Sequence, residues 1–318
     1  FINYFNYDYG APAGAPFGVH LAAAPSPFRA GHHILRVGVQ AKRIDRHARK
    51  PVHLVYLVDT SGSMHSPNKI GLAKRSLKLL TSQLNPSDTV ALCTYAGSTR
   101  IVLRPTGAQN QDKIHRAIDN LSTGGGTAMS SGIDLAYDLA SQTLIDGHVN
   151  RVIVLSDGDA NIGRTSHQAI LRRIADYRSK GITLSTVGFG RGNYKDTMME
   201  QLANKGDGNY SYIDTPAESR RVFGEQLGGL LQVVARDAKI QVEFDPNMVR
   251  KYRLIGYENR DVADRDFRND HVDAGEIGAG HNVTAVYELV FNDGSRLDRS
   301  PVTVRIRYKQ PTGSETAR

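Results

Sequence analysis

Cysteine is almost absent from this chain of 318 residues. Cys93 stands alone, so no internal disulfide can form and no cysteine-based zinc or iron–sulfur site can be built. Its setting, Val90-Ala91-Leu92-Cys93, is that of a buried structural thiol rather than a reactive one. Long apolar runs are missing too: none approaches the roughly 18 residues of a bilayer-spanning helix, so no transmembrane segment is expected. No signal peptide is expected in this stretch either. The chain opens Phe1-Ile2-Asn3-Tyr4 without an initiator methionine, which reads as a processed or trimmed protein and leaves the compartment open. Nor is there a large excess of one charge, since 40 Lys and Arg against 32 Asp and Glu leave a net +8. That excess sits mainly in Lys42, Arg43, Arg46, Arg49 and Lys50. Such a run could meet phosphates, but a solvated strand end or loop is the simpler reading, and no nucleic-acid partner is expected.

What is present is a globular composition, 40% hydrophobic and 23% charged, in a chain long enough for one large domain or two modest ones. Wholesale disorder and a disulfide mini-scaffold are thereby excluded. Residues 1–28 are aromatic and then rich in Pro, Gly and Ala, with Phe1, Tyr4, Phe5, Tyr7 and Tyr9 ahead of Pro12, Pro16, Pro25 and Pro27. They are expected to be irregular or extended, with the rings docked on a neighbouring surface. The middle zone alternates strand and helix. Leu54-Val55-Tyr56-Leu57-Val58 and Arg151-Val152-Ile153-Val154-Leu155 read as strands buried on both faces. Ile70, Ala73, Leu77, Leu80 and Leu84 share one helical face, and Gly97-Ser98 marks a hairpin that adds an antiparallel edge. Further helices are expected near 111–121, 131–144, 167–179, 194–203 and 217–231, and strands at 183–187 and 210–213.

This alternation predicts an α/β domain, a doubly wound and mostly parallel sheet flanked by helices. The last zone changes period: residues 239–244, 283–291 and 302–308 alternate apolar with polar, as half-buried antiparallel strands do, and residues 33–44 read alike. The expected organisation is an N-terminal segment with a strand over 1–50, the α/β domain over 51–235 and a C-terminal β segment over 236–318. The first and last would form one smaller, antiparallel β-sandwich-like module into which the α/β domain is inserted.

In an open parallel sheet, ligands sit beyond the carboxyl ends of the strands. Val58 is followed by Asp59-Thr60-Ser61-Gly62-Ser63 and Leu155 by Ser156-Asp157-Gly158-Asp159, while Gly124-Gly125-Gly126-Thr127 forms a flexible loop just before a helix. Two carboxylates and three hydroxyls are therefore expected to converge at one edge. Hard oxygen donors, with no sulfur and no obligatory imidazole, suit Mg²⁺, or Mn²⁺ or Ca²⁺ in its place. Asp59 and Asp157 balance the ion's charge, while Ser61, Ser63 and Thr127 coordinate without adding any. A carboxylate from another protein would then fill a remaining position.

Asp59-x-Ser61-x-Ser63, followed in order by Thr127 and Asp157, resembles the metal-ion-dependent adhesion site (MIDAS) of von Willebrand factor A domains. The resemblance implies a Rossmann-like fold and direct ligation by both serines. It also implies direct or water-mediated roles for the two aspartates, and a threonine whose engagement varies with conformational state. Asn3-Tyr4-Phe5-Asn6-Tyr7-Asp8-Tyr9, Tyr252-Arg253-Leu254-Ile255-Gly256-Tyr257-Glu258-Asn259-Arg260 and Asp273-Ala274-Gly275-Glu276-Ile277-Gly278-Ala279-Gly280-His281 are similar to bacterial A-domain proteins of the YfbK type, a match over nearly the whole chain. Members often carry an export or lipoprotein signal, so the resemblance implies a cell-envelope, periplasmic or extracellular location with peripheral or lipid-anchored attachment. His65, Gly126, Met129 and Asp159 would line the ligand-binding rim. Gly126 and Met129-Ser130-Ser131 replace an expected serine and a more glycine-rich turn, so Met129 is expected to hinder a bulky ligand.

Other motifs weigh less. Asp157-Gly158-Asp159-Ala160-Asn161 imitates an EF-hand opening, but Ile162 and Gln168 stand where glycine and glutamate are needed. Gly188-Phe189-Gly190-Arg191-Gly192 lacks the dinucleotide spacing and reads as a turn. His65 beside Ser63 hints at a hydrolytic pair without a third group. Asp261, Asp264, Asp266, Asp270 and Asp273 alternate with Arg260, Arg265 and Arg268 as in a solvated, salt-bridged loop. The expected function is thus a non-enzymatic module with no catalytic residues, whose bound cation captures an acidic group of a partner protein. The alternatives are a metal-dependent hydrolase and an adaptor that binds an anionic polymer or lipid through the basic run.

Overall fold

In the computed structural model the chain first runs out as β1 (Phe17–Pro25) and returns as β2 (His33–Ala41), antiparallel from Phe17↔Ala41 to Pro25↔His33. The structure describes all residues except 1, 6, 46–47, 160–163, 191–195, 226, 257–262, 271–273, 295–298, 312–315 and 318, and the side chains of 4, 164–166, 196, 225, 228 and 230. The expectations attached to Phe1, Arg46, Asn161, Ile162, Arg191, Gly192, Arg260, Asp261 and Asp273 fall outside the described residues. β1 is more regular than the Pro- and Gly-rich sequence suggests. It is an edge strand, and its proline, Pro25, is its last residue, where a missing N–H disturbs little of the ladder. Upstream, Tyr9 is buried with its hydroxyl 2.9 Å from Thr284 Oγ1, and its ring lies between Tyr7 and His20 at centroid distances of 5.7 and 5.0 Å.

Contacts divide the chain into two units, Phe1–Ile44 with Val233–Arg318, and Asp45–Gln232. The second unit begins with β3 (Val52–Asp59), in which every residue is buried. There follow α1 (Ile70–Ser82), β4 (Thr89–Tyr95), β5 (Thr99–Gly107), α2 (Gln111–Asp119), α3 (Met129–Gln142), β6 (Val149–Ser156), α4 (Arg164–Ser179), β7 (Ile182–Phe189), α5 (Asp196–Lys205) and β8 (Tyr210–Ile213). The sheet order is β5-β4-β3-β6-β7-β8, parallel throughout except for the hairpin strand β5. Alternation along β3 divides the core. Leu54, Tyr56 and Val58 face Leu72, Leu77 and Leu80 of α1 and Ile114 and Ile118 of α2, while Val55 and Leu57 face Ile133 and Tyr137 of α3, Ile174 of α4 and Leu202 of α5.

The single helix expected over 217–231 is broken. α6 (Pro216–Arg220) is capped by Thr215, whose Oγ1 accepts the Glu218 N–H at 3.2 Å. A wide-turn segment, Arg221–Glu225, then separates α6 from α7 (Leu227–Leu231). Gly224, Gly228 and Gly229 withdraw the helix propensity that one continuous element would need.

The first unit resumes with β9 (Val233–Phe244), β10 (Val249–Ile255), β11 (Ile277–Gly278), β12 (Asn282–Phe291) and β13 (Val302–Lys309). Its sheets run β1-β2-β12-β10 and β11-β9-β13. The early strand β2 does pair with the late β12, Gln40↔Asn282 to His33↔Leu289. Leu35, Val37 and Leu289 of one sheet pack with Val242, Phe244, Val302 and Val304 of the other, which makes the sandwich core.

Candidate metal centre

β3 and β6 are parallel neighbours with Val58 opposite Leu155, although the chain leaves β3 to add β4 on one side before it returns to add β6 on the other. This reversal is the topological switch point of the sheet. Asp59 and Asp157 emerge on its two sides.

Asp59 is fully buried. Its Oδ1 accepts the Ser61 N–H at 2.9 Å and its Oδ2 accepts the Ser156 hydroxyl at 2.8 Å. Burial pushes its carboxyl pKa above the usual range. The hydrogen bonds from Ser61 and Ser156 oppose that shift, and the nearby charge of Asp157 adds to it. Tyr95, buried close by, has its phenol pushed well up, by burial first and then by the Asp59 charge. Ser61 is buried and Ser63 half-buried, with their hydroxyl oxygens 3.0 Å apart. Asp157, also buried, accepts the Asp159 N–H at Oδ1 (3.1 Å) and the Lys69 ammonium at Oδ2 (2.8 Å). The same ammonium donates to the Ser63 carbonyl at 3.0 Å.

The loop that carries Thr127 is stitched to this edge through its backbone. Gly124 N–H donates to Thr60 O (2.8 Å), Gly62 N–H to Gly125 O (3.1 Å) and Ala128 N–H to Ala96 O (2.8 Å). Gly125 has φ +83°, and a Cβ there would stand 3.3 Å from Gly97 N, so the left-handed turn and the close approach both call for glycine. Thr127 and Gly126 are exposed on this loop. His65 is exposed with Nδ1 2.8 Å from Thr123 Oγ1, and Asp159 is exposed beside Asp157.

Met129 corrects the expected rim. It is only 1% exposed and packs in the core with Val55 and Ile133, because the first turn of α3 directs it inward, so it hinders no ligand. The basic run is corrected too. Arg49 is buried in a bidentate pair with Asp88, Nη1 to Oδ1 at 3.0 Å and Nη2 to Oδ2, and Asp88 also accepts the Val52 N–H at 2.9 Å. It is therefore withheld from any anionic partner. Asp270 is likewise held by Arg307, and Cys93 is buried with its thiol pushed up to about 12 by burial.

Among the described residues no three His, Cys, Asp or Glu gather in one cluster, so a cation here would depend on hydroxyls. The spacing of the two serine hydroxyls suits one. Ligands about 2.0–2.1 Å from an octahedral Mg²⁺ put adjacent oxygens about 2.9 Å apart, and the two serine hydroxyls stand at 3.0 Å. Two residues of the site escaped sequence reasoning. Ser156 lies within a quoted motif and follows its apolar run directly, a positional signal that could have been used. Lys69 carries no local signal, since its contacts with Ser63 and Asp157 exist only in the fold.

The chain belongs to the von Willebrand factor type A domain family, whose model matches residues 53–224. A model described as uncharacterized protein YfbK, C-terminal, matches residues 229–318, and one described as von Willebrand factor matches residues 1–36. The chain is 38% identical to the uncharacterized protein YfbK of Escherichia coli (strain K12), over 99% of this chain and 59% of that protein. It is 25% identical to the uncharacterized protein sll0103 of Synechocystis sp., over 89% of this chain and 67% of that one. The chain thus spans 59% of the YfbK length. The solved structure of a von Willebrand factor type A protein from Catenulispora acidiphila shares the fold, with a TM-score of 0.52 and 18% identity over 96% of this chain and 72% of that one.

Proposed function

We propose that the chain is a metal-dependent protein-binding module. Asp59, Ser61, Ser63, Thr127 and Asp157 would hold Mg²⁺, or Mn²⁺ or Ca²⁺ in its place, and His65, Gly126 and Asp159 would border the approach of a partner's acidic group. The observation that carries this reading is the pair of serine hydroxyls 3.0 Å apart, flanked by two buried carboxylates at the switch point. When bound, the ion would supply electrostatic attraction for a carboxylate oxygen of the partner. The chain's own residues orient the donors: Ser156 fixes Asp59, and the Gly124–Gly126 backbone fixes the Thr127 loop.

A hydrolytic reading gains no support from the geometry, because His65 engages Thr123 and Ser63 pairs with Ser61. A cell-envelope location belongs to the same proposal and rests on the likeness to bacterial proteins of the YfbK type. Among the described residues no helix is long and apolar enough to cross a membrane.

Calorimetric Mg²⁺ titration tests the reading, with capture of partners from native envelope extract in the presence and absence of chelator. Asp59→Ala should abolish both signals while the circular dichroism of the fold is retained. Unchanged Mg²⁺ affinity in that variant would refute the proposal.

A further inference from the structure

Lys69 stands immediately ahead of α1 and sends its side chain into the centre just described. Its Nζ bridges Asp157 Oδ2 at 2.8 Å and the Ser63 carbonyl at 3.0 Å. The stem has a defined bed. Gly190, with φ +115°, leaves a space in which a Cβ would come within 3.0 Å of Lys69 Cε. The Asp157 carboxylate side chain is only 2% exposed, and each of its oxygens already accepts one protein donor, Asp159 N–H at Oδ1 and Lys69 at Oδ2.

Resting on the metal-binding reading, we propose that Lys69 is a positioning residue of the cation site, which holds Asp157 in an outer place and cancels one of the two carboxylate charges. The charge arithmetic gives this a consequence. Asp59 and Asp157 alone would neutralise a divalent ion, whereas with Lys69 present the loaded centre keeps a net positive charge. The ammonium therefore opposes the incoming metal but leaves it attractive to an anionic group. With one donor on each oxygen, Asp157 retains a lone pair on each for metal-bound water, and the ammonium charge at Oδ2 disfavours a closer approach of the ion there.

The test is Mg²⁺ titration of the wild-type chain, Lys69→Met and Lys69→Arg by calorimetry, with thermal melting of each in chelator. Lys69→Met keeps the apolar stem and removes the charge. It should bind Mg²⁺ about tenfold more tightly, since a unit positive charge near a divalent ion is removed, and should melt lower without metal. Lys69→Arg should restore wild-type affinity. Unchanged or weaker Mg²⁺ binding by a folded Lys69→Met variant overturns the role assigned to Lys69 and leaves the metal centre standing. A wild-type chain that gives no Mg²⁺ signal overturns the metal centre itself, and this inference with it.

Discussion

The hydroxyl of Ser156 donates to Asp59 Oδ2 at 2.8 Å, across the gap between two adjacent parallel strands. It thereby shares a buried carboxylate with the Ser61 N–H. Ser156→Ala should lower stability by roughly 1.5–3 kcal/mol, the range for a hydrogen bond to a charged group, and should weaken Mg²⁺ binding without abolishing it. Urea unfolding with and without Mg²⁺ measures both.

Asp59 itself should trade stability for binding. The folded chain holds its proton to higher pH than the unfolded chain does, because burial raises its pKa. Metal-free stability therefore falls as pH rises through the range above an ordinary carboxylate pKa, and the loss persists at neutral pH. Asp59→Asn keeps an acceptor for Ser61 and can pair with Ser156, yet carries no charge. It should melt higher than wild type in chelator at pH 7 and gain nothing from added Mg²⁺, as scanning calorimetry would show.

Arg49 and Asp88 form a structural pair with side chains 5% and 0% exposed. Removing one partner of a buried pair typically costs about 3–5 kcal/mol, so Arg49→Ala should unfold at markedly lower denaturant. Neutralising Lys42, Arg43 and Lys50, all exposed, should leave the denaturant midpoint nearly unchanged.

His53 should make the α/β unit acid-sensitive. Its ring is buried between Thr89 Oγ1 at 2.5 Å and Thr143 Oγ1 at 2.7 Å. Burial, aided by His148, lowers its pKa from 6.5 to about 4. The unfolded chain takes up the proton first, so this group's contribution is intact above pH 6.5 and declines as pH falls towards 4. At about 1.4 kcal/mol per pH unit the full loss is roughly 3.5 kcal/mol. His53→Gln should flatten the stability profile in that window relative to wild type, as measured by denaturant midpoints from pH 7 to 4.

The α/β architecture was legible because its strands are continuous apolar runs and its first helix carries a clean stripe, Ile70, Ala73, Leu77 and Leu80. The proposed donors stand out in the sequence because Asp59, Ser61, Ser63 and Asp157 directly follow those runs. What stayed hidden depends on partners distant in sequence. Met129 reads as a loop-edge residue until α3 turns it into the core, and Lys69 and Arg49 read as surface cations until Asp157 and Asp88 are placed beside them. β10 escaped notice because Arg250, Lys251, Tyr252 and Arg253 are all exposed on an edge strand, so burial imprints no alternation there.

The pairing of β2 with β12 sets a timetable for biosynthesis. Gln40 must wait for Asn282, about 240 residues later on the ribosome, which at ~5–20 residues per second is roughly 10–50 seconds. Through that interval the inward face of β2, with Leu35, Val37 and Val39, has emerged while its late partners have not. A nascent chain stalled before β12 should therefore be a preferred client of holdase chaperones, even when the α/β unit has already acquired its native form.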